Sequence, residues 1–182
     1  MTPHDLLPRT LLLVACLWPV LALGADDRAE IVRLQAGGQT EAALQRVDAL
    51  LALQPRDPQV RFLRGVLLGE LRRRDEATEV FERLVEDYPE LPEPYNNLAA
   101  LHASAGDFDK ARLSLEQALR ANPLFALAHQ NLGDVHAALA ERAYARALQL
   151  DPANAGLPPR LALVHQLLAR PERAAASSDA PR

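Results

Sequence analysis

Residues 95–123 read YNNLAALHASAGDFDKARLSLEQALRANP. The stretch falls into two halves. Tyr95, Leu98, Ala99 and His102 mark the first, and Ala111, Leu115 and Ala118 mark the second. Gly106-Asp107 punctuates the middle and Pro123 closes the end. Gly favours a turn, and Pro cannot donate to a helical ladder, so the pattern predicts two helices joined by a short turn and then stopped.

The same marks recur along the chain at a step of 34 residues. Pro55, Pro89 and Pro123 share one slot, and Ala43, Ala77 and Ala111 share another. Val47, Phe81 and Leu115 form a third set, and Leu50, Leu84 and Ala118 a fourth. In the other half of the unit Gly65, Ala99 and Gly133 align, as do Leu98 with Leu132, Asn97 with Asn131, and His102 with His136. Gly38 and Gly106 lie two periods apart. The small residues are expected where paired helices touch, and Phe81 and Leu115 are expected to fill the space between units. Asp57-Pro58 suits a helix start, with Asp as cap and Pro in the first turn. One helix pair cannot bury its apolar faces alone, so the units must stack.

These residues resemble the tetratricopeptide repeat. The likeness spans about residues 25–152 and is strongest over 95–123. The second unit keeps Gly65, Leu68, Ala77, Phe81 and Pro89, with Arg61 at a position where an aromatic is usual. The fold implied is an all-α solenoid of helix-turn-helix repeats. Its units are expected at about 25–57, 58–91, 92–125 and 126–152, followed by a C-terminal capping helix within 153–170 and a disordered tail at 171–182.

The fourth unit departs from the period. Ala140, Tyr144, Ala147 and Pro152 follow Ala111, Leu115, Ala118 and Pro123 by 29 residues, so five are missing. The loss falls between Gly133 and Ala140, where the turn belongs. Residues 135–144 hold no Gly, Pro, Asn or Asp and many Ala, which favours helix throughout. The two helices are therefore expected to fuse into one from about Ala126 to Leu150, roughly 37 Å long. The stripe of Ala140, Tyr144, Ala147 and Leu148 then needs another cover. The last helix, expected from about Pro159 to Ala169 with Leu161, Val164 and Leu168 on one face, could supply it within the chain. A second chain could do so instead, which makes Tyr144 and Leu148 candidates for self-association as a homodimer.

Ahead of the repeats, residues 10–24 form an apolar run after a short polar start, and Ala22-Leu23-Gly24 offers small residues at a cleavage site. The pattern reads as a secretory signal peptide over residues 1–24, removed before Ala25. The run is short for a membrane span, which takes about 20 apolar residues, and Pro19 interrupts it. Export to the bacterial periplasm is the expectation. The competing reading is a lipoprotein anchored at Cys16, because Leu13-Val14-Ala15-Cys16 resembles a lipobox. With Cys16 removed, no thiol remains for a disulfide or a nucleophile.

The 182 residues carry 20 Lys+Arg against 24 Asp+Glu, a net charge of −4, which argues against a general nucleic-acid binder. Lys110 is the only Lys, read here as compositional bias. Hydrophobic residues make up 49% and aromatics only 4%, a balance that suits a folded helical protein.

The sequence offers no catalytic constellation, cofactor motif or metal set. His129 and His136, if helical, stand about 10.5 Å apart along the axis, too far to share a zinc with ligand bonds of about 2 Å. His102 and His136 share a repeat slot and are expected to pack as rings inside or between units; His165 stands alone. Arg72-Arg73-Arg74 with Asp75-Glu76 reads as a solvated turn and helix start. No Gly-rich phosphate loop, Ser elbow or paired Cys is present, and the chain reads as a non-enzyme needing no cofactor.

By resemblance, the first helices of successive units line a groove for a protein or peptide partner. This assigns Phe62 and Val66 to the groove as an apolar pocket, with Leu63 beside them. Asn96, Asn97, Gln130, Asn131 and Asp134 supply its polar part. Asn and Gln both donate and accept, which suits a peptide backbone; Asn97 and Asn131, one period apart, are the leading pair, with bridging of neighbouring helices as the structural alternative. The Lys/Arg clamp with which some family members hold a carboxylate terminus is missing here. The expected function is a periplasmic or secreted adaptor. The alternatives are an assembly subunit docking through the C-terminal long helix and an accessory factor of a cell-envelope enzyme.

Overall fold

The computed structural model describes residues 18–169, with side chains from Asp27 onward. Among these residues every regular element is a helix: α1 (Trp18–Ala36), α2 (Thr40–Leu53), α3 (Pro58–Glu70), α4 (Arg74–Asp87), α5 (Pro92–Ser104), α6 (Phe108–Ala121), α7 (Ala126–Leu150) and α8 (Leu157–Leu168). First helices begin at Pro58, Pro92 and Ala126, and second helices at Thr40, Arg74 and Phe108, so each series keeps the step of 34 seen in the prolines. The molecule is an all-α solenoid of helical repeats.

Local chemistry explains the boundaries. Pro58 and Pro92 open α3 and α5, where a missing N–H costs nothing. The Asp57 carboxylate accepts from the Gln59 and Val60 amides at the start of α3. Asp107 accepts from the Lys110 amide at the start of α6. The helices α1, α3 and α5 end in the same turn. The amides of Gly38, Arg72 and Gly106 donate to Gln35, Gly69 and Ala103, and the next amides donate back to Leu34, Leu68 and His102. This double bond pattern puts the turn residue in the left-handed region, with φ of 72° at Gly38, 62° at Arg72 and 79° at Gly106. The middle unit thus carries an arginine where its neighbours carry glycine.

The chain divides into two compact units, at Val80 and Phe81 within α4. In the first, Ala43, Val47, Leu50, Val60 and Leu67 are buried, and Asp27 on α1 holds Arg46 on α2 at 2.6 Å. In the second, Ala99, Ala111, Leu115, Ala118, Ala128 and Val135 form one core, with Tyr95, Phe108, Phe125 and Leu132 packed against it. Small residues indeed sit where α5 and α6 approach.

α7 runs unbroken for 25 residues, from Ala126 to Leu150. The loss of the turn has fused the two helices of the fourth unit. α8 packs on α7, and His165 Nε2 lies 2.9 Å from the Glu141 carboxylate. α8 starts at Leu157, two residues before the expected Pro159, because Pro158 and Pro159 are tolerated in a first turn. Its Leu161-Ala162-Leu163-Val164-His165 repeats Leu98-Ala99-Ala100-Leu101-His102, so α8 also has the signature of a first helix.

Residues 1–17, which include Cys16 and most of the apolar run, lie outside the described residues, as does the tail at 171–182. The end of the sequence assigned to the signal, Trp18–Gly24, is the start of α1. No helix among the described residues is long and apolar enough to cross a membrane.

Candidate protein-interaction site

The asparagines meet in the second unit, but not in the pairing that the period suggests. Asn131 Nδ2 on α7 donates to Asn96 Oδ1 on α5 at 2.8 Å, and Asn96 is buried at 6% exposure. Asn97 turns back along its own helix, donating from Nδ2 to the Glu93 carbonyl at 2.9 Å. The first helices of neighbouring repeats therefore touch through residues 35 apart, one more than the period. The first unit shows the same offset: Gln35 Nε2 on α1 donates to Glu70 on α3 at 2.6 Å. Asn131 bridges helices, which commits one of its donors and leaves its carbonyl oxygen to accept from elsewhere.

Around that bridge α7 presents Gln130 and Asp134 to solvent, with Leu127 48% exposed one turn before them. Leu127, Asn131 and Asp134 follow each other at four and three residues, so they share one helical face. The face combines an apolar side chain, amides that donate and accept, and a carboxylate that would favour a cationic partner. Leu127 is not among the candidates read from the sequence. Its signal was present as a large apolar residue at the second position of the repeat, where the third repeat carries Glu93.

In the first unit, Phe62 and Val66 lie one turn apart on α3, both half-buried. Arg64 between them pairs with Asp48 on α2 at 2.7 Å. Nearby, Arg28 joins α1 to Asp57 at 2.6 Å and to Gln59 at 2.8 Å.

Tyr144 and Leu148 are half-buried on the half of α7 whose Glu141 meets His165 of α8. Cover for this stripe comes, at least in part, from the same chain.

Among the described residues the histidines do not converge. His129 Nε2 contacts the Pro123 carbonyl at 2.9 Å, and His165 pairs with Glu141. His102 is half-buried, whereas His136 is exposed, contrary to the expectation that both rings pack. The reason is the fused helix: no second helix folds back over His136. Among the described residues no group of three or more His, Cys, Asp or Glu could hold a metal.

Among the described residues, Arg73, Glu76 and Asp107 are shifted from their ordinary values, and all sit at helix starts. The Arg73 hydrogen bond holds the Glu76 carboxyl low, and the same bond raises Arg73. Hydrogen bonds from Lys110, first of its side chain and then of its backbone, lower Asp107. These are structural pairs on the surface.

Family models of the tetratricopeptide repeat match residues 28–92 and 92–125, more than half of the chain between them. The chain belongs to the tetratricopeptide repeat family. A search of curated proteins finds no match. Among solved structures, a thermophilic tetratricopeptide repeat protein of Thermus thermophilus is 25% identical with a TM-score of 0.60, over 84% of this chain and 86% of that one. PcrH from Pseudomonas aeruginosa is 19% identical with a TM-score of 0.57, over 62% and 90%. PcrH in complex with the chaperone binding region of PopD is 18% identical with a TM-score of 0.59, over 66% and 94%. The last two likenesses concern the fold.

Proposed function

We propose that this chain is an exported, periplasmic adaptor that holds a peptide or a partner's helix against its first helices. The observation that carries the reading is the solvent-facing row of Leu127, Gln130 and Asp134 beside the Asn96–Asn131 bridge. A partner backbone could bond to Gln130 and to the carbonyl of Asn131, while Leu127 receives an apolar side chain. Phe62 and Val66 offer a separate apolar contact in the first unit. Family membership supports protein binding, and the complex of PcrH with a segment of PopD is an instance among proteins of this fold. The chemistry is recognition without catalysis or a cofactor.

The periplasmic address rests on the sequence of residues 1–24. Fractionation of cells carrying a tagged chain would find it in the periplasm, with a mature N-terminus at Ala25. Retention of the chain in the membrane by way of Cys16 would replace this reading with a lipoprotein. For the adaptor itself, crosslinking in cells should capture one partner with the natural chain. The double variant Leu127→Ala, Gln130→Ala, both at exposed positions of that face, should lose that partner while keeping its fold. Undiminished capture by the variant would defeat the proposed face. The reading as accessory factor of an envelope enzyme is a narrower form of the same proposal, decided by which partner is captured.

A further inference from the structure

The fourth repeat carries two halves of a contact that its own chain covers only in part: Gly133 and His136 are exposed, and Ala140 and Tyr144 are half-buried. In the second repeat Gly65 is buried on α3 and Ala77 is 0% exposed. In the third, Ala99 on α5 and Ala111 on α6 are 1% and 0% exposed, and both lie in one core. The equivalents in the fourth repeat are Gly133 and Ala140, both on α7. Gly133 is exposed, and a Cβ added there would meet nothing within 4 Å. Ala140 and Tyr144 are half-buried, where Phe81 and Leu115, the counterparts of Tyr144, are 2% and 0% exposed. His136, exposed beside Gly133, belongs to the same open surface.

The missing five residues leave Gly133 and Ala140 seven apart. Seven residues are two turns of helix less about 20°, so both half-contacts point the same way. Ala126, His129, Gly133, Ala140, Tyr144 and Ala147 fall on one stripe of the fused helix. A loss of four or six residues would have rotated one half away from the other. The core-facing residues Ala128 and Val135 lie on a different side of α7, so the stripe's first half is clear of the chain's own core. Ala137, 7% exposed, borders the stripe on the side toward Ala138.

We propose that a second copy of this chain completes the repeat, the two α7 helices pairing antiparallel so that Gly133 of each copy meets Ala140 of the other. The pairing continues the α5–α6 interface, with the second helix supplied from outside. It is isologous, with its two-fold axis between His136 and Ala137, and it brings His129 of each copy opposite Tyr144 of the other. The partner must present a first-helix face and a second-helix face on one rod, in opposite directions, and α7 of another copy does so. α8 stays on the flank of α7 marked by Glu141.

Paired cysteines test the register. In the full-length chain with Cys16→Ser, the variant Gly133→Cys, Ala140→Cys should form an intermolecular disulfide on oxidation. Within one helix these positions are about 10.5 Å apart along the axis and cannot bridge, because a disulfide needs Cα atoms about 4.4–6.8 Å apart. Each single variant should stay uncrosslinked, since its cysteine lies two turns from its symmetry mate. A third variant inserts Ser-Ala-Gly-Asp-Phe, the sequence of residues 104–108, between Ala137 and Ala138. It restores the turn and should convert the intermolecular bond to an intramolecular one. Sedimentation of the natural chain should show a mass that doubles with concentration, and the insertion variant should remain monomeric. A natural chain that stays monomeric, a dimer that the double variant fails to trap, or single variants that crosslink equally well would each overturn the proposal. Helical circular dichroism of every variant confirms that the comparison is between folded proteins.

Discussion

Replacing Arg72 by glycine should stabilise the protein. Arg72 holds φ of 62° in the turn between α3 and α4, the slot that Gly38 and Gly106 occupy in the neighbouring repeats. A residue with a Cβ pays about 1–2 kcal/mol for that conformation. Glycine avoids the cost but gives back about 0.5–1 kcal/mol through its freer unfolded chain. The turn's bonds are backbone bonds, Arg72 N–H to Gly69 and Arg73 N–H to Leu68, and both survive the change. The Arg72 side chain is exposed, so little packing is lost. The net gain is about 0.5–1 kcal/mol, or roughly 1–4 °C in Tm for a chain of this size. Urea unfolding should show a higher midpoint with an unchanged slope. The reciprocal change, Gly106→Ala, should cost about 0.5–1 kcal/mol, the same strain less the same unfolded-chain term. If Arg72→Gly lowers the midpoint, the strain is not where this reasoning puts it.

Asp57→Ala should destabilise by about 1–2 kcal/mol, because it removes the cap of α3 and the partner of Arg28 together; Asp57→Asn, which can still cap, should recover part of that in the same unfolding assay. Asp107 has its carboxyl lowered by Lys110, so its contribution is present above the ordinary carboxylate range, near pH ~4, and fades as pH falls through the lowered value. Acid titration should therefore find Asp107→Asn less sensitive than the natural chain in that window, and an identical profile would remove the pair as a source of stability. In a double-mutant cycle, Asn96→Ala and Asn131→Ala should show a coupling of about 1 kcal/mol across their bond; a coupling indistinguishable from zero would mean that the two amides do not hold each other. Leu115→Ala, at a side chain with 0% exposure, should cost about 2–5 kcal/mol by thermal or urea unfolding.

Much of the scaffold was legible because repetition turns weak local signals into a strong one. Pro55, Pro89 and Pro123 mark the step, and the starts of α3, α5 and α7 keep it. The fused α7 was legible from an absence: no residue between Gly133 and Ala140 favours a turn other than Asp134, which a helix accepts. The partner of Asn131 was not legible, because a repeat predicts equivalent positions, whereas neighbouring helices touch through an offset of one. Nor was the exposure of His136 legible from its slot. What buries that slot in a complete repeat is a second helix, and the deletion has straightened it away. α8 was expected as a capping helix; that its Leu161, Ala162 and His165 follow Leu132, Gly133 and His136 by 29 residues, the marks of another first helix, was not part of that reading.

The geometry of the fourth repeat turns on α7 being one rod. Spin labels at Gln130→Cys and Gln149→Cys, both exposed positions, would report its length by electron–electron double resonance in the Cys16→Ser chain diluted with unlabelled protein. Nineteen helical steps place the labelled backbones about 28 Å apart, and a distribution centred near that distance is the predicted result. A peak at about 10–15 Å, the separation of two helices folded back on each other, would contradict it.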